Sequence, residues 1–201
     1  MNKKNIILAD TIVDKDWEFA QGIREKTGEK WEILCWENAG LKKNNLFNIK
    51  RIGKYFLYAL KVFLKRSEYD KIISWQQFYG IIFAFYSRLF HVKKKNDLTI
   101  MTFIYKPKQG LKGKIYASFM RYVLRSGYID RIIVFSNSEV AYYKKLFKIE
   151  KELFVFLPLG IEKKIINGIT DLKLEDPYFL LGEATGTMSS CSNVQIVFRI
   201  I

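Results

Sequence analysis

The chain has 201 residues and a mass of 23.8 kDa, enough for one well-cored domain and too little for two of full size. Its 49% hydrophobic and 16% aromatic content excludes a disordered polar chain, and 34 Lys and Arg against 20 Asp and Glu leave a net charge of +14 that favours an anionic partner. The charge is unevenly placed: residues 1–50 hold 9 basic and 8 acidic side chains, residues 51–130 hold 16 and 4, and residues 131–201 hold 9 and 8, so +12 sits in the middle.

In chain order, Asn5 to Ala9 is a short apolar run ending at Asp10, the form of a buried parallel strand. Asp14 to Lys26 has helical spacing through Trp17, Ala20 and Ile23, and Gly28 ends that helix. Trp31 to Trp36 reads as a second strand and Ala39 to Asn48 as a long polar loop. A helix follows from Ile49 to Arg66, with Ile52, Phe56, Leu60, Phe63 and Leu64 on its packing side. Asp70 to Trp75 is a third strand, and Gln76 to Phe90 is a helix apolar nearly all round, as for an element covered on several sides. A lysine-rich turn over 91–97 leads to a fourth strand, Leu98 to Tyr105, and then to a loop containing Pro107 and Gly110.

Lys112 to Arg125 has helical periodicity, with Ile115, Phe119, Val123, Tyr116, Met120 and Leu124 on the apolar face. Arg131 to Phe135 is a fifth strand, and Ser136-Asn-Ser-Glu139 is a capping box opening a helix that ends near Phe147. Leu153 to Leu157 is a sixth strand, closed by Pro158-Leu-Gly160. About six short apolar runs separated by helices or long connections predict an α/β fold with an open parallel sheet and helices on both faces. Ala184 to Ile201 holds one charged residue in 18; Val194 to Ile201 is either a small edge strand or part of a segment foreign to the fold.

Cys35 and Cys191 form no metal-type spacing and no disulfide framework, which fits a reducing compartment. The apolar run after Met1-Asn2-Lys3-Lys4 is much shorter than the ~7–15 residues of a signal-peptide core, and Phe78 to Phe90 falls short of the ~18–20 needed to span a bilayer. A cytoplasmic location follows, with the option of lying on the membrane face. Neither G-x-G-x-x-G after the first strand nor G-x-x-x-x-G-K-[ST] occurs, and His91 is the only histidine. Dinucleotide and P-loop chemistry, multi-histidine metal sites and most histidine triads are thereby disfavoured, and no metal is expected.

Open sheets bind ligands beyond the carboxyl ends of their strands, which here are Asp10–Asp14, Ser74–Tyr79, Tyr105–Lys114, Ser136–Glu139 and Leu159–Glu162. Lys106, Lys108, Lys112 and Lys114, interleaved with glycines ahead of a helix, suit a phosphate or other anion. Gln76, Gln77 and Tyr79 offer amide groups beside aromatic faces, chemistry suited to sugars; the two glutamines equally suit capping the helix. Ser136, Ser138 and Glu139 are placed to reach into the same cleft, although capping already accounts for two of them.

In this order the segments resemble the N-terminal domain of family 4, GT-B type glycosyltransferases of bacterial capsule, exopolysaccharide or O-antigen synthesis. The resemblance rests on Ile72-Ile-Ser-Trp-Gln-Gln-Phe-Tyr-Gly80, on Thr102-Phe-Ile-Tyr-Lys-Pro-Lys-Gln-Gly110 with Lys112 to Tyr116, and on Tyr128-Ile-Asp130. It rests also on Val134 to Glu139 with Tyr142-Tyr143, and on Pro158-Leu-Gly-Ile161. It implies a Rossmann-like acceptor-binding domain over 1–180. The tail, 181–201, looks like the remnant or frame-shifted start of a missing donor-binding domain, and Pro177 to Gly182 resembles the start of that domain's first strand.

The resemblance further implies retaining transfer from a nucleotide sugar to a polyprenyl-diphosphate-linked saccharide, with the nucleotide sugar as donor substrate and no tightly bound cofactor. The expected acceptor and cleft residues are Gln76, Gln77, Tyr79, Ser136 and Glu139, and the expected anion-binding residues are Lys106, Lys108, Lys112 and Lys114. The helix Phe78 to Phe90 and the basic middle are expected to meet an anionic membrane surface, and a donor-binding domain or subunit completes the site. Asp10-Thr-Ile-Val-Asp14 lacks the glycines, and Met101 to Tyr105 the histidine, found in many members, so no catalytic residue is assigned. The alternatives are a non-catalytic partner of a two-chain transferase and an anionic-lipid or nucleic-acid binding module; nucleic acid is disfavoured because the strands read as buried on both faces.

Overall fold

The computed structural model describes residues 3–10, 13, 17–35, 45–158, 160–161 and 196–197. It divides into two compact units, Met1–Leu157 and Pro158–Ile201. In the first, the elements run β1 Lys4–Ala9, α1 Glu18–Thr27, β2 Trp31–Cys35, α2 Asn45–Leu64, β3 Tyr69–Ser74, α3 Gln77–Leu89, β4 Asp97–Ile100, α4 Gly110–Leu124, β5 Arg131–Val134, α5 Asn137–Phe147 and β6 Phe154–Phe156. The second contains β7 Gly160–Ile161 paired antiparallel with β8 Ile196–Val197. The apolar tail therefore supplies two strand residues, in a sheet of its own.

The main sheet has the order β2-β1-β3-β4-β5-β6, with all five pairings parallel. This is the Rossmann-like open sheet that the alternation of apolar runs and helices predicts. The chain moves one way from β1 to β2 and the other way thereafter, so right-handed crossovers put α1 on one face and α2 to α5 on the other. Burial follows this division. Ile6, Leu8, Ile72, Leu98, Ile100 and Ile132 are fully buried and share one cluster with α2 to α5. Ile7 and Ala9, pointing to the opposite face, are buried as well, along with Phe19, Ala20 and Ile23 of α1. Each such fully buried Ile or Leu is worth about 1.5–3 kcal/mol relative to exposure.

Local signals place several boundaries where the sequence predicts them. Gly28 adopts φ 66° and donates its N–H to the Arg24 carbonyl, ending α1. Others move. The fourth strand stops at Ile100 instead of Tyr105, because Thr102 takes a left-handed φ of 53° and its hydroxyl donates to the Trp75 carbonyl. The long helix starts at Asn45, inside the expected loop; residues 36–44, with Trp36, lie outside the described residues, as do residues 14–16 at the expected start of α1. The helix after the lysine loop starts at Gly110, two residues before the expected Lys112.

The packing faces of two helices also differ from expectation. Ile52 (53% exposed), Leu64 (65%) and Ile115 (61%) point outward. Tyr55, Tyr58, Ala59 and Val62 take the inner face of α2, and Gly113, Met120, Val123 and Leu124 that of α4. Tyrosine fits because its hydroxyl finds backbone at the edge of the core: the Tyr58 hydroxyl donates to the Leu34 carbonyl at 2.8 Å. The helix predicted to meet lipid, α3, is the buried one, with Tyr79 to Ala84 and Ser87 all inside.

Burial pushes the hydroxyls of Tyr58 and Tyr79 far above the ordinary phenol range and raises those of Tyr55, Tyr116 and Tyr143. A group whose folded pKa lies above its unfolded value near ~10 stabilises fully below that pH and loses its contribution as pH rises. Unfolding free energies from denaturant titrations are therefore expected to fall above about pH 10, by roughly 1.4 kcal/mol per pH unit for each of these tyrosines ionised only on unfolding.

Candidate functional site

The strand order changes direction between β1 and β3, and the crevice beyond the carboxyl ends of these two strands is where an open sheet binds ligand. The Leu8 carbonyl accepts the Trp75 N–H at 2.9 Å, so the chain leaving β3 is hooked to the end of β1. The Ser74 hydroxyl, fully buried, donates to the Gln76 carbonyl at 2.6 Å and accepts from the Gly80 N–H at 2.8 Å. A side chain at Gly80 would stand 2.8 Å from both Ile100 and Ser74, so the glycine lets α3 come close to the sheet.

Gln76 is the N-cap of α3: its Oε1 accepts from the Phe78 N–H at 3.2 Å. Its Nε2 donates to Asp10 Oδ2 at 3.2 Å and to the Tyr55 hydroxyl at 3.5 Å. Burial, then the Asp10 charge, raises the Tyr55 pKa. The Trp75 ring packs toward α1, 4.9 Å from Trp17 and 4.6 Å from Phe19. A carboxylate, an amide and a phenol thus meet beyond the ends of β1 and β3, chemistry that suits hydroxyl-rich ligands.

Gln77 points across to the segment after β4. Its Nε2 donates to the Ile104 carbonyl at 3.1 Å and its Oε1 accepts the Ile104 N–H at 3.0 Å. The amide thereby mimics a strand partner for a segment that has left the sheet. The same segment is pinned by the Phe103 N–H on the Ile133 carbonyl and by the Tyr105 N–H on the Tyr143 hydroxyl. Tyr79 is 1% exposed and packs edge-on against Tyr55 and Tyr58, so it supports the crevice from behind.

Lys106, Lys108, Lys112 and Lys114 are all exposed, two on the loop and two on the first turns of α4, a helix with no acidic residue in its first turn. The Lys108 ammonium sits 5.2 Å above the Tyr116 ring, which itself stacks on Tyr105. A Cβ on Gly113 would meet the Lys108 carbonyl oxygen at 1.8 Å, so only glycine allows the loop to fold onto the helix.

Two strands from the crevice, at the end of β5, the Ser136 hydroxyl accepts from the Glu139 N–H at 3.2 Å, and the Glu139 carboxylate accepts from the Phe135 N–H at 2.9 Å. Ser136 caps α5 as the spacing predicts, while the Glu139 carboxylate takes the N–H of the residue before the cap in place of the cap's own. Asp130, part of the resemblance, works at the opposite edge: it accepts from the Leu98 N–H and pairs with Lys94 at 2.5 Å. Among the described residues no group of His, Cys, Asp and Glu side chains could hold a metal ion.

The structure therefore brings Gln76 and Gln77 to the crevice and its neighbouring segment, sets the four lysines and the Ser136–Glu139 pair along the same sheet edge, and keeps Tyr79 inside. Asp10 and Tyr55 join the site without having been singled out as residues. Asp10 carries the signal of a polar residue directly after an apolar strand, whereas Tyr55 is readable only once the inward face of α2 is known.

No family model matches the sequence, and no curated protein matches it.

Gln77→Ala is expected to raise amide hydrogen exchange at Ile104 by at least about tenfold, with Phe103 still protected, because one side chain closes both Ile104 bonds. Gly113→Ala is expected to shift amide resonances over residues 106–110 and to lower global stability in denaturant titrations, since the displacement of the Lys108 backbone outweighs the ~1 kcal/mol that alanine gains in helix propensity.

Proposed function

We propose that this chain is the acceptor-side domain of a retaining, nucleotide-sugar-dependent glycosyltransferase that extends a lipid-linked saccharide in surface polysaccharide synthesis. A donor-binding domain or subunit completes its site. The observation that carries the reading is convergence: the segments resembling family 4 GT-B enzymes at Trp75–Tyr79, Thr102–Gly110 and Val134–Glu139 all emerge at the carboxyl edge of one parallel sheet.

In this reading Asp10 and Gln76 accept from and donate to acceptor hydroxyls. Gln77 holds the 101–105 segment in place, so it acts through that backbone. The lysines and the open amino terminus of α4 meet the diphosphate of the acceptor. Ser136 and Glu139 shape the cleft wall toward the donor half. Stabilisation of the departing nucleoside diphosphate requires groups from that other half, so the chain alone transfers little or no sugar.

The test is nuclear magnetic resonance titration of the purified chain with a short-chain prenyl-diphosphate-linked monosaccharide, alongside a turnover assay with nucleotide sugars. Saturable shifts at Gln76, Asp10 and Lys112 are expected, with about tenfold weaker binding for the Lys106→Glu/Lys112→Glu variant, and no turnover. Absence of binding, or measurable transfer by the chain alone, overturns the reading.

A further inference from the structure

The segment leaving β4 is held in a conformation that its own sequence does not favour. Thr102 has a φ of 53°, in the left-handed region, where a β-branched side chain is strained. Such a conformation persists only where its surroundings over-determine it, and strain of this kind gathers at functional sites. Here the surroundings do so residue by residue. The Thr102 hydroxyl donates to the Trp75 carbonyl at 3.0 Å, the Phe103 N–H to the Ile133 carbonyl at 3.2 Å, and the Tyr105 N–H to the Tyr143 hydroxyl at 3.3 Å. Between these anchors the Gln77 amide takes both the N–H and the C=O of Ile104. Four consecutive residues are thereby tied to the end of β3, to α3, to β5 and to α5.

The result of these ties is the display of one side chain. Phe103 and Tyr105 are buried, whereas Ile104 is 52% exposed. Among the described residues of the segments that leave β1 to β6 at the carboxyl edge, Ile104 is the one large apolar side chain that is exposed. A scattered exposed isoleucine is ordinary on a protein surface. This one differs because a strained residue beside it and the side chains of Gln77, Thr102 and Tyr143 fix its place. Folding gives no reason for an aliphatic group at that point, since the bonds that hold Ile104 are made by its backbone and a polar residue satisfies them equally.

Its neighbours narrow what it could meet. Gln76, the next residue to Gln77, reaches Asp10 in the crevice, where a carboxylate and an amide suit hydroxyls. On the other side Lys106 and Lys108 follow within four residues and suit a phosphate. Ile104 lies between the two, with its backbone N–H and C=O already engaged, and offers a fixed branched aliphatic surface. A sugar lying between a hydroxyl-binding crevice and a phosphate-binding loop gains from such a surface only where it carries an apolar substituent. A methyl group seated on isoleucine leaves water for an apolar contact, whereas a hydroxyl at the same place loses a hydrogen bond to water and finds no partner.

We infer that Ile104 is a specificity-determining residue that contacts a methyl substituent of the bound sugar, with Gln77 and Thr102 as its positioning residues. The inference rests on the acceptor reading of the crevice and adds to it the class of sugar. A methyl group can come from a 6-deoxy sugar or from an N-acetyl group, and the same aliphatic contact serves either.

The two sources are separated by calorimetric titration of the full chain with short-chain prenyl-diphosphate-linked glucose, 6-deoxyglucose and N-acetylglucosamine. One of the methyl-bearing compounds is expected to bind at least about tenfold more tightly than the glucose compound, and which one does so identifies the substituent. Ile104→Ser is expected to reduce that preference below about twofold, while Ile104→Val retains most of it. Gln77→Ala, which leaves the isoleucine in the chain and removes its two anchors, is expected to lower the same ratio; a purely structural role for Gln77 would weaken all three compounds alike. Equal binding of the three compounds, or a preference that survives Ile104→Ser, overturns the inference and leaves the acceptor reading standing. Failure of all three to bind removes the acceptor reading and this inference with it. Circular dichroism checks that each variant folds, and Ile104→Ala reports the same ratio if the serine variant does not.

Discussion

Everything at the candidate site depends on the strands being parallel. Five parallel pairings oblige every strand to finish at the same edge, and every helix that follows to begin there. The amino termini of α3, α4 and α5 therefore gather, with their positive dipole ends, beside the ends of β3, β4 and β5. The opposite edge receives the complementary treatment. Lys3–Asp70, Lys4–Glu32, Lys71–Glu29, Lys94–Asp130 and Arg131–Asp97 pair there at the starts of strands. Partly exposed pairs of this kind add little stability individually, about 0–1 kcal/mol each. Their consequence is electrostatic asymmetry: carboxylates are neutralised at one edge, and cations prevail near the other.

The carboxyl edge is held in shape by the same polar side chains that would recognise a ligand. Gln76 caps α3 and reaches Asp10; Gln77 closes two bonds to Ile104; Ser136 and Glu139 satisfy the start of α5. Such groups are oriented before any ligand arrives, which lowers the entropic cost of binding. The structural and functional readings of these residues are thus less opposed than they look from the sequence. A capping glutamine still has unused lone pairs and a fixed direction, and a free one has neither constraint nor aim.

The legible part of the fold was the part set by local pattern. The apolar runs of β1, β3 and β5, the stop at Gly28 and the cap at Ser136 each depend on residues within a few positions of one another. The end of β4 was not legible, because Met101, Phe103 and Tyr105 continue an alternating pattern of burial after the strand has stopped. What stops it is long-range: Thr102 on the Trp75 carbonyl and Gln77 on Ile104. The crevice trio was half-legible for the same reason. Gln76 and Asp10 announce themselves at strand ends, while Tyr55 arrives from α2 only through tertiary packing.

The misread helix faces have a physical cause that bears on what the surface is for. On α2 and α4 apolar side chains occupy both sides, so periodicity offers two candidate inner faces, and the sequence alone cannot rank them. Packing ranks them by shape: Tyr55, Tyr58 and Ala59 take the inner side of α2, Gly113 of α4 lies against the Lys108 backbone, and Leu57, Leu64, Leu111 and Ile115 are left outside. Nothing in the core demands that those outer positions be aliphatic, since lysine or glutamate serves equally well on a solvated helix face. Apolar groups on the outside of two helices, in a layer without a single carboxylate, therefore reflect a constraint that folding of the described domain does not supply.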